Sequence, residues 1–346
     1  LYTGDGQNNR KITGLEFKPG LVWVKQRAQS GGGEIDGNHG WYDSIRGVTK
    51  RLKSNSSAAE DTFAIGSFDD GGFTFATETY YNDNNDTFVG WFWKAGGSSN
   101  TFNVDGTGYA TAAAAGLDDG TISLTGASVN TEAGFSIVTY DGTDSGSSQT
   151  IPHGLNQPPE FWMWKNRSSS GDWIIYTTVI DGGSDYLLLN ATNAAGSGVS
   201  PWDTAPTSSV VTVGTNNADT CNAGDNYVLY LWHSVPGYSK FGRYTGSGSE
   251  DGSYVYLGFR PAFLLLRRTD DSKSWVLFDN KRSPFNLVDK SLYPNRSDAD
   301  NGLSNLEVDF LSNGFKIKNS VNTINASDGT YVYMAFAEQP LSLIHI

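Results

Sequence analysis

The residues of this chain that could carry chemistry fall into four groups. Tryptophans pair two apart at Trp91/Trp93 and Trp162/Trp164, with Trp232 in a further aromatic strand. Side chains two apart on a strand share a face, so two neighbouring indoles would offer a stacking platform to sugar rings. The same spacing also suits a core or interface pair, and aromatics at comparable places (Tyr230 and Trp232, Tyr333 and Phe336) favour packing. Basic residues follow apolar runs at Lys25/Arg27, Lys165/Arg167 and Arg267/Arg268. They are expected to pair with Asp43 or Asp279 on a neighbouring strand and fix its register; the other reading is a basic rim that meets anionic polysaccharide. Acidic clusters stand at Asp69-Asp70, Asn82 to Asp86, Asp118-Asp119, Asp270-Asp271 and Asp298/Asp300. Oxygen-rich loops can hold calcium, but none has the spacing of a calcium-binding loop, and Asp and Asn are ordinary turn residues. No metal ligand and no cofactor is assigned, calcium being the one ion considered.

Hydrolysis needs more than acids. A glycosidase sets two carboxylates about 5–9 Å apart across a cleft, and the carboxylates here sit in turn-like contexts. His39, His153 and His233 occupy different places relative to the neighbouring motifs, and no nucleophile elbow, zinc-binding helix or phosphate loop is present. No catalytic residue is assigned.

The elements that position these groups recur three times, which bears on the whole architecture. A tyrosine turn appears at Tyr2-Thr3-Gly4, Tyr140-Asp141-Gly142 and Tyr244-Thr245-Gly246. A proline then precedes an apolar run: Leu21 to Val24, Phe161 to Trp164, and Phe263 to Leu266. A second run opens at Trp41, Trp173 and Trp275, and an aromatic run closes each copy at Thr87, Asn226 and Thr330. The tyrosines are 138 and 104 residues apart and the closing runs 139 and 104, so both ends of the copy move together. The apolar runs suit strands buried on both faces. Glycine turns at Asp70-Gly71-Gly72 and Ser312-Asn313-Gly314 mark hairpins. Thr121 to Leu124 reads as another hairpin arm, and Tyr109 to Ala115 as a loop or helical turn.

The expected fold is all-β: three tandem antiparallel β-sandwich or jelly-roll-like repeats of about 100 residues. The alternative is one pseudo-threefold β body with a shared core. Boundaries fall at 1–97, 133–234 and 235–340, with 98–132 as a linking segment holding a hairpin. The first copy lacks the strand before its tyrosine and reads as cut inside a repeat. Residues 341–346, Leu-Ser-Leu-Ile-His-Ile, read as the in-frame translation of a sequencing adapter, which marks a metagenomic fragment.

Composition narrows the partners. Forty-one glycines with 10 Trp, 17 Tyr and 18 Phe suit short strands and tight turns. A formal net charge of -13 repels phosphate backbones and anionic membranes, so neither nucleic acid nor membrane insertion is expected. No apolar run approaches a membrane span. Cys221, the single cysteine, has no intrachain partner and reads as a small buried residue beside a turn.

Longer signatures carry a resemblance. They are Phe17 to Arg27, Tyr42-Asp43-Ser44-Ile45-Arg46-Gly47, Trp91 to Gly97, Gly134 to Tyr140, and Ala335 to Pro340. Together they resemble a repeated domain of unknown function found in virion proteins of marine tailed bacteriophages, often labelled tail fibre or structural protein. The resemblance spans nearly the whole chain and implies a virion-surface location. It transfers no catalytic or binding residue. The expected role is non-enzymatic: a tail fibre-like module aiding multivalent attachment to bacterial surface glycan. Other virion proteins and a homotrimer are the expected assembly partners. A polysaccharide depolymerase and a purely structural decoration or connector are the alternatives.

Overall fold

The computed structural model describes residues 1–28, 37–76, 80–143, 147–180, 185–196, 204–214, 219–300 and 305–337. The expected tail at 341–346 and the motif residues 338–340 lie outside them. The first stretch of chain forms β1 (Tyr2–Thr3), β2 (Lys11–Thr13), β3 (Leu21–Ala28), β4 (His39–Asp43), β5 (Lys50–Lys53), β6 (Asp61–Thr62), β7 (Ser67–Asp69), β8 (Gly72–Thr74) and β9 (Thr87–Trp93). The second forms β10 (Phe102–Val104), β11 (Thr107–Tyr109), β12 (Leu124–Asn130), β13 (Phe135–Asp141), β14 (Gln149–Pro152), β15 (Phe161–Asn166), β16 (Ile174–Thr177), β17 (Leu187–Leu188), β18 (Val210–Val213) and β19 (Asn226–Trp232). The third forms β20 (Ser239–Thr245), β21 (Tyr254–Tyr256), β22 (Pro261–Arg268), β23 (Val276–Asp279), β24 (Val308–Leu311), β25 (Gly314–Ile317), α1 (Asn322–Asn325) and β26 (Thr330–Ala337). The protein is thus all-β, with several sheets packed in sandwich fashion.

Three large sheets have the orders β1-β9-β3-β4-β5-β6, β11-β10-β12-β13-β19-β15-β16-β17 and β20-β26-β22-β23. In each, a post-proline apolar run (β3, β15, β22) lies between an aromatic closing strand (β9, β19, β26) and a second run (β4, β16, β23). A central strand must be covered on both faces, which is why these runs are apolar throughout rather than alternating. Segment 98–132 supplies β10–β12 to the edge of the second large sheet. Within it Ala113–Ala115 form a 3-10 turn, and the strand expected at Thr121 starts only at Leu124.

Alternate residues of each large sheet face opposite ways, as the pleat requires. One set (Trp23, Trp91 and Trp93; Met163, Tyr230 and Trp232; Leu265, Met334 and Phe336) joins a single central cluster. The other set faces outward under a smaller sheet. Val22 and Phe88 pack with Phe73 of β8, Trp162 and Leu229 with Ile151 and Val211, and Leu264 and Tyr333 with Val308 and Phe315. The three large sheets therefore each bury one face in the same core.

The tyrosine turn has a common physical cause. The hydroxyls of Tyr2, Tyr140 and Tyr244 donate to the carbonyls of Tyr81, Thr220 and Ile324, just ahead of the closing strands. The amides of Gly4, Gly142 and Gly246 donate to Asp86, Asp225 and Gly329. A Cβ at these glycines would sit 1.9, 2.1 and 2.2 Å from the carbonyl oxygens of Asp83, Asn222 and Ala326. Only glycine fits where two backbones touch this closely.

Candidate functional site

The paired tryptophans do not lie on equivalent strands. Trp91, Trp93 and Trp232 belong to closing strands and enter the central cluster, whereas Trp162 and Trp164 belong to β15 and face outward under the second small sheet. Trp91 is 8% exposed and the other four less. Their rings meet protein: Trp93 stands edge-on to Phe263 and Phe336, Trp162 lies 4.2 Å from Tyr176, and Trp232 stacks on Phe135. A sugar platform needs an open ring face, and these indoles spend theirs on packing. All nine described tryptophans are buried.

In the second apolar run Trp41 does not stand at the place of Trp173 and Trp275. Ladder register sets His39 opposite Lys25, Trp173 two places beyond Ile175 (which faces Met163), and Trp275 two places beyond Leu277 (which faces Leu265). Since Trp41 faces Trp23, the residue matching Trp173 and Trp275 is His39 rather than Trp41. Its bonding agrees. Trp173 Nε1 donates to Lys53 O, and Trp275 Nε1 donates to Leu188 O. His39 Nε2 lies 3.1 Å from Tyr293 O. The His39 backbone amide donates to Asn55 Oδ1, as those of Trp173 and Trp275 donate to Asn190 and Asn295.

The basic residues do fix structure, but across segments rather than by pairing with Asp43 or Asp279. Lys25 Nζ donates to Ser297 O, Lys165 Nζ to Ser57 O, and Arg267 to Asn193 O. Beside them the backbone amides of Asp300, Glu60 and Ala195 donate to Arg27, Arg167 and Thr269. Arg27 pairs with Asp300 at 2.7 Å and Arg167 with Glu60 at 3.0 Å, while Arg268 pairs locally with Asp270. These contacts run from the first segment to the third, the second to the first, and the third to the second. Burial pulls Lys165 down to about 8 against the opposing pull of Asp219 and Asp172, and burial alone pulls Arg267 down to about 10.

Asp43 and Asp279 take local partners instead. Each accepts the Nε–H of an arginine three residues on, Arg46 at 2.6 Å and Arg282 at 2.5 Å, plus the backbone amides that follow. Each also takes a bond from the closing strand of another segment: Tyr230 hydroxyl to Asp43 at 2.7 Å, and Trp91 Nε1 to Asp279 at 3.2 Å. Burial opposes the Asp43 charge, but Arg46 prevails and holds the carboxyl below its ordinary value. By ladder register the third set is Thr177, Ile180 and Met334. There the charge pair and its donor are all replaced by uncharged side chains.

His39 and His153 are buried and neutral. An indole N–H can only donate, so Trp23 Nε1 at 2.9 Å makes His39 Nδ1 the acceptor and leaves Nε2–H for Tyr293. Leu155 N–H does the same to His153, whose Nε2 faces Thr207 O at 3.2 Å. Burial lowers both, His153 to about 4. Cys221 is buried beside Thr143 and Gln149. Among the described residues no three His, Cys, Asp or Glu side chains converge to hold a metal ion. Acidic-loop oxygens accept from protein donors: Asp69 from Ser67 and Thr74 within its hairpin, and Asp86 from Gln26 of β3. An open cleft of about 660 Å³ is lined by Glu16, Asp70, Asp105 and Glu132 interleaved with Lys18 and Lys94. Asp105 is held there by Thr131.

Sequence reasoning missed the exposed aromatics. Tyr254 and Tyr256 are 46% and 60% exposed, with buried Val255 between them, so both rings project from the outer face of β21. Lys240 lies 5.4 Å from the Tyr256 ring and donates to its carbonyl. Phe285, 81% exposed, and Leu287 stand on a loop. The alternation Tyr-Val-Tyr was the available signal.

These features define an all-β protein whose large sheets share one core and whose open aromatic surface lies on an outer strand. The chain matches the model of a domain of unknown function, DUF7483, over residues 1–340, and it belongs to that family. No curated protein and no solved structure matches it.

Proposed function

We propose that the chain is a non-enzymatic virion-surface module of the tail fibre kind, built as three copies of one β unit closed into a ring, which contributes to attachment on bacterial surface glycan. The ring rests on contacts that pass in one sense from each segment to another and return to the start. Lys25, Lys165 and Arg267 reach across the three junctions, and His39, Trp173 and Trp275 follow the same path. Trp91, Trp93 and Trp232 and the three buried basic residues are spent on closing this body. A virion location rests on the motif resemblance.

The observation that carries attachment is the tyrosine pair at Tyr254 and Tyr256, two open rings on one strand face beside the Lys240 ammonium. Aromatic rings with a polar handle suit sugar faces and hydroxyls. One shallow pair binds weakly, so attachment of this kind depends on many copies displayed together. Residues 1–340 are to be run over an array of bacterial surface polysaccharides, with reducing-end release measured in parallel. Binding without release, lost in a Tyr254→Ala/Tyr256→Ala variant of unchanged melting temperature, is the expected result. Sugar release would replace this reading with a depolymerase, and silence in both assays would replace it with a structural connector.

A further inference from the structure

We infer that the face carrying Tyr254 and Tyr256 selects an acidic glycan, one whose sugars carry an anionic group, and that Lys240 is the residue that reads the charge. This rests on the glycan reading above and names the class of sugar. Among the described residues β21 is an edge strand, paired on one side by β25. Val255 is buried between the two tyrosines and faces Phe315, so both rings stand on the open side. Lys240 reaches this strand from β20. Its Nζ donates to the Tyr256 carbonyl at 2.8 Å and lies 5.4 Å from the centroid of the Tyr256 ring. An ammonium has three N–H donors. One is spent on the carbonyl, which also holds the group in place beside the ring.

The charges around the two rings define the ligand. Lys316 of β25 lies directly opposite Tyr254, and Asp309 of β24 lies opposite Lys316. Residues directly opposite on a ladder share a face. Asp251 takes Lys316 at 2.5 Å and Lys318 at 3.5 Å, so two acids balance two lysines at the Tyr254 end. Among the described residues no carboxylate pairs with Lys240, so the uncompensated charge stands at Tyr256, the more exposed ring. A neutral sugar would cover the ring and leave the ammonium to water. An acidic sugar uses both, because its anionic group accepts from Nζ while its apolar face lies on the ring. The net charge of -13 opposes a polyanion at long range. At physiological salt the Debye length is about 8 Å, so distant acids are screened far more than a direct contact at Nζ.

The probes are two pairs of polymers, added to the whole chain at physiological salt: polygalacturonate with its carboxyl-reduced form, and dextran sulfate with plain dextran. The expected result is that the acidic member binds about fivefold tighter than its neutral partner. A preference confined to one pair identifies carboxylate or sulfate as the group that is read. Lys240→Gln, which keeps a donor for the Tyr256 carbonyl, should remove the preference, and Lys240→Arg should retain it. Neutral forms that bind as well as the acidic ones, or a preference that survives in Lys240→Gln, would overturn the inference and leave the glycan reading in place. No binding of any of the four would also overturn it, and the polysaccharide array then decides separately whether the glycan reading falls. Because the first comparison varies the glycan and not the protein, misfolding cannot imitate its outcome.

Discussion

At the scale of single residues, His39 and His153 each have one ring nitrogen that must accept and one that faces a carbonyl. Protonating Nδ1 would set an N–H against another N–H inside the core. Both groups have folded values below the ordinary 6.5, so the unfolded chain takes up protons that the folded chain refuses. The stability tied to their neutral form is complete above about pH 6.5 and falls as pH drops toward 4. For His153 the loss is on the order of 3 kcal/mol across that window. Urea unfolding midpoints at pH 7 and pH 4.5 should differ accordingly, and His153→Leu should flatten the slope while costing stability at pH 7. A flat profile in the parent chain would show that these imidazoles are reached by water. The same residues show where sequence reading stops. The tyrosine-glycine turn is legible because a backbone contact demands glycine and a hydroxyl demands its carbonyl, at fixed spacing. The role of His39 is not legible, because a histidine N–H there performs the task of an indole N–H and aligning tryptophans by name displaces the strand by two residues.

At the scale of elements, the strands that carry Asp43 and Asp279 read as expected, but the partners of their carboxylates do not. Side chains from strands far apart in sequence meet here only because the sheets are brought around one core, and residue type alone does not specify the match. The third junction suggests a test. Arg46→Ile alone leaves Asp43 charged and buried, which should cost about 3–5 kcal/mol. Combining Asp43→Thr, Arg46→Ile and Tyr230→Met installs the side chains found at Thr177, Ile180 and Met334. The triple variant should regain at least half of that loss in chemical denaturation, because an uncharged set of suitable volume needs no ion partner. A triple variant less stable than the single one would show that the junctions are not interchangeable. The buried tryptophans have the same explanation. Two indoles two residues apart announce a shared face, but whether water or another sheet lies above it depends on packing that the sequence does not spell out.

At the scale of the whole molecule, the shared core implies that no segment is complete alone. Residues 133–234, if isolated, would expose Phe161, Met163, Tyr230 and Trp232 on one sheet face, all buried in the closed body. Apolar faces of that size stay ordered only when covered. Alternation along the strands made both buried faces legible, and the sequence repeat set the period. That the inner faces meet one another, rather than three separate partners, emerges only from the fold. Scanning calorimetry of the whole chain tests this most directly. One transition, with calorimetric and van't Hoff enthalpies equal, is predicted for a single body around a common core. Three separable transitions, each retained in its own fragment, would contradict it.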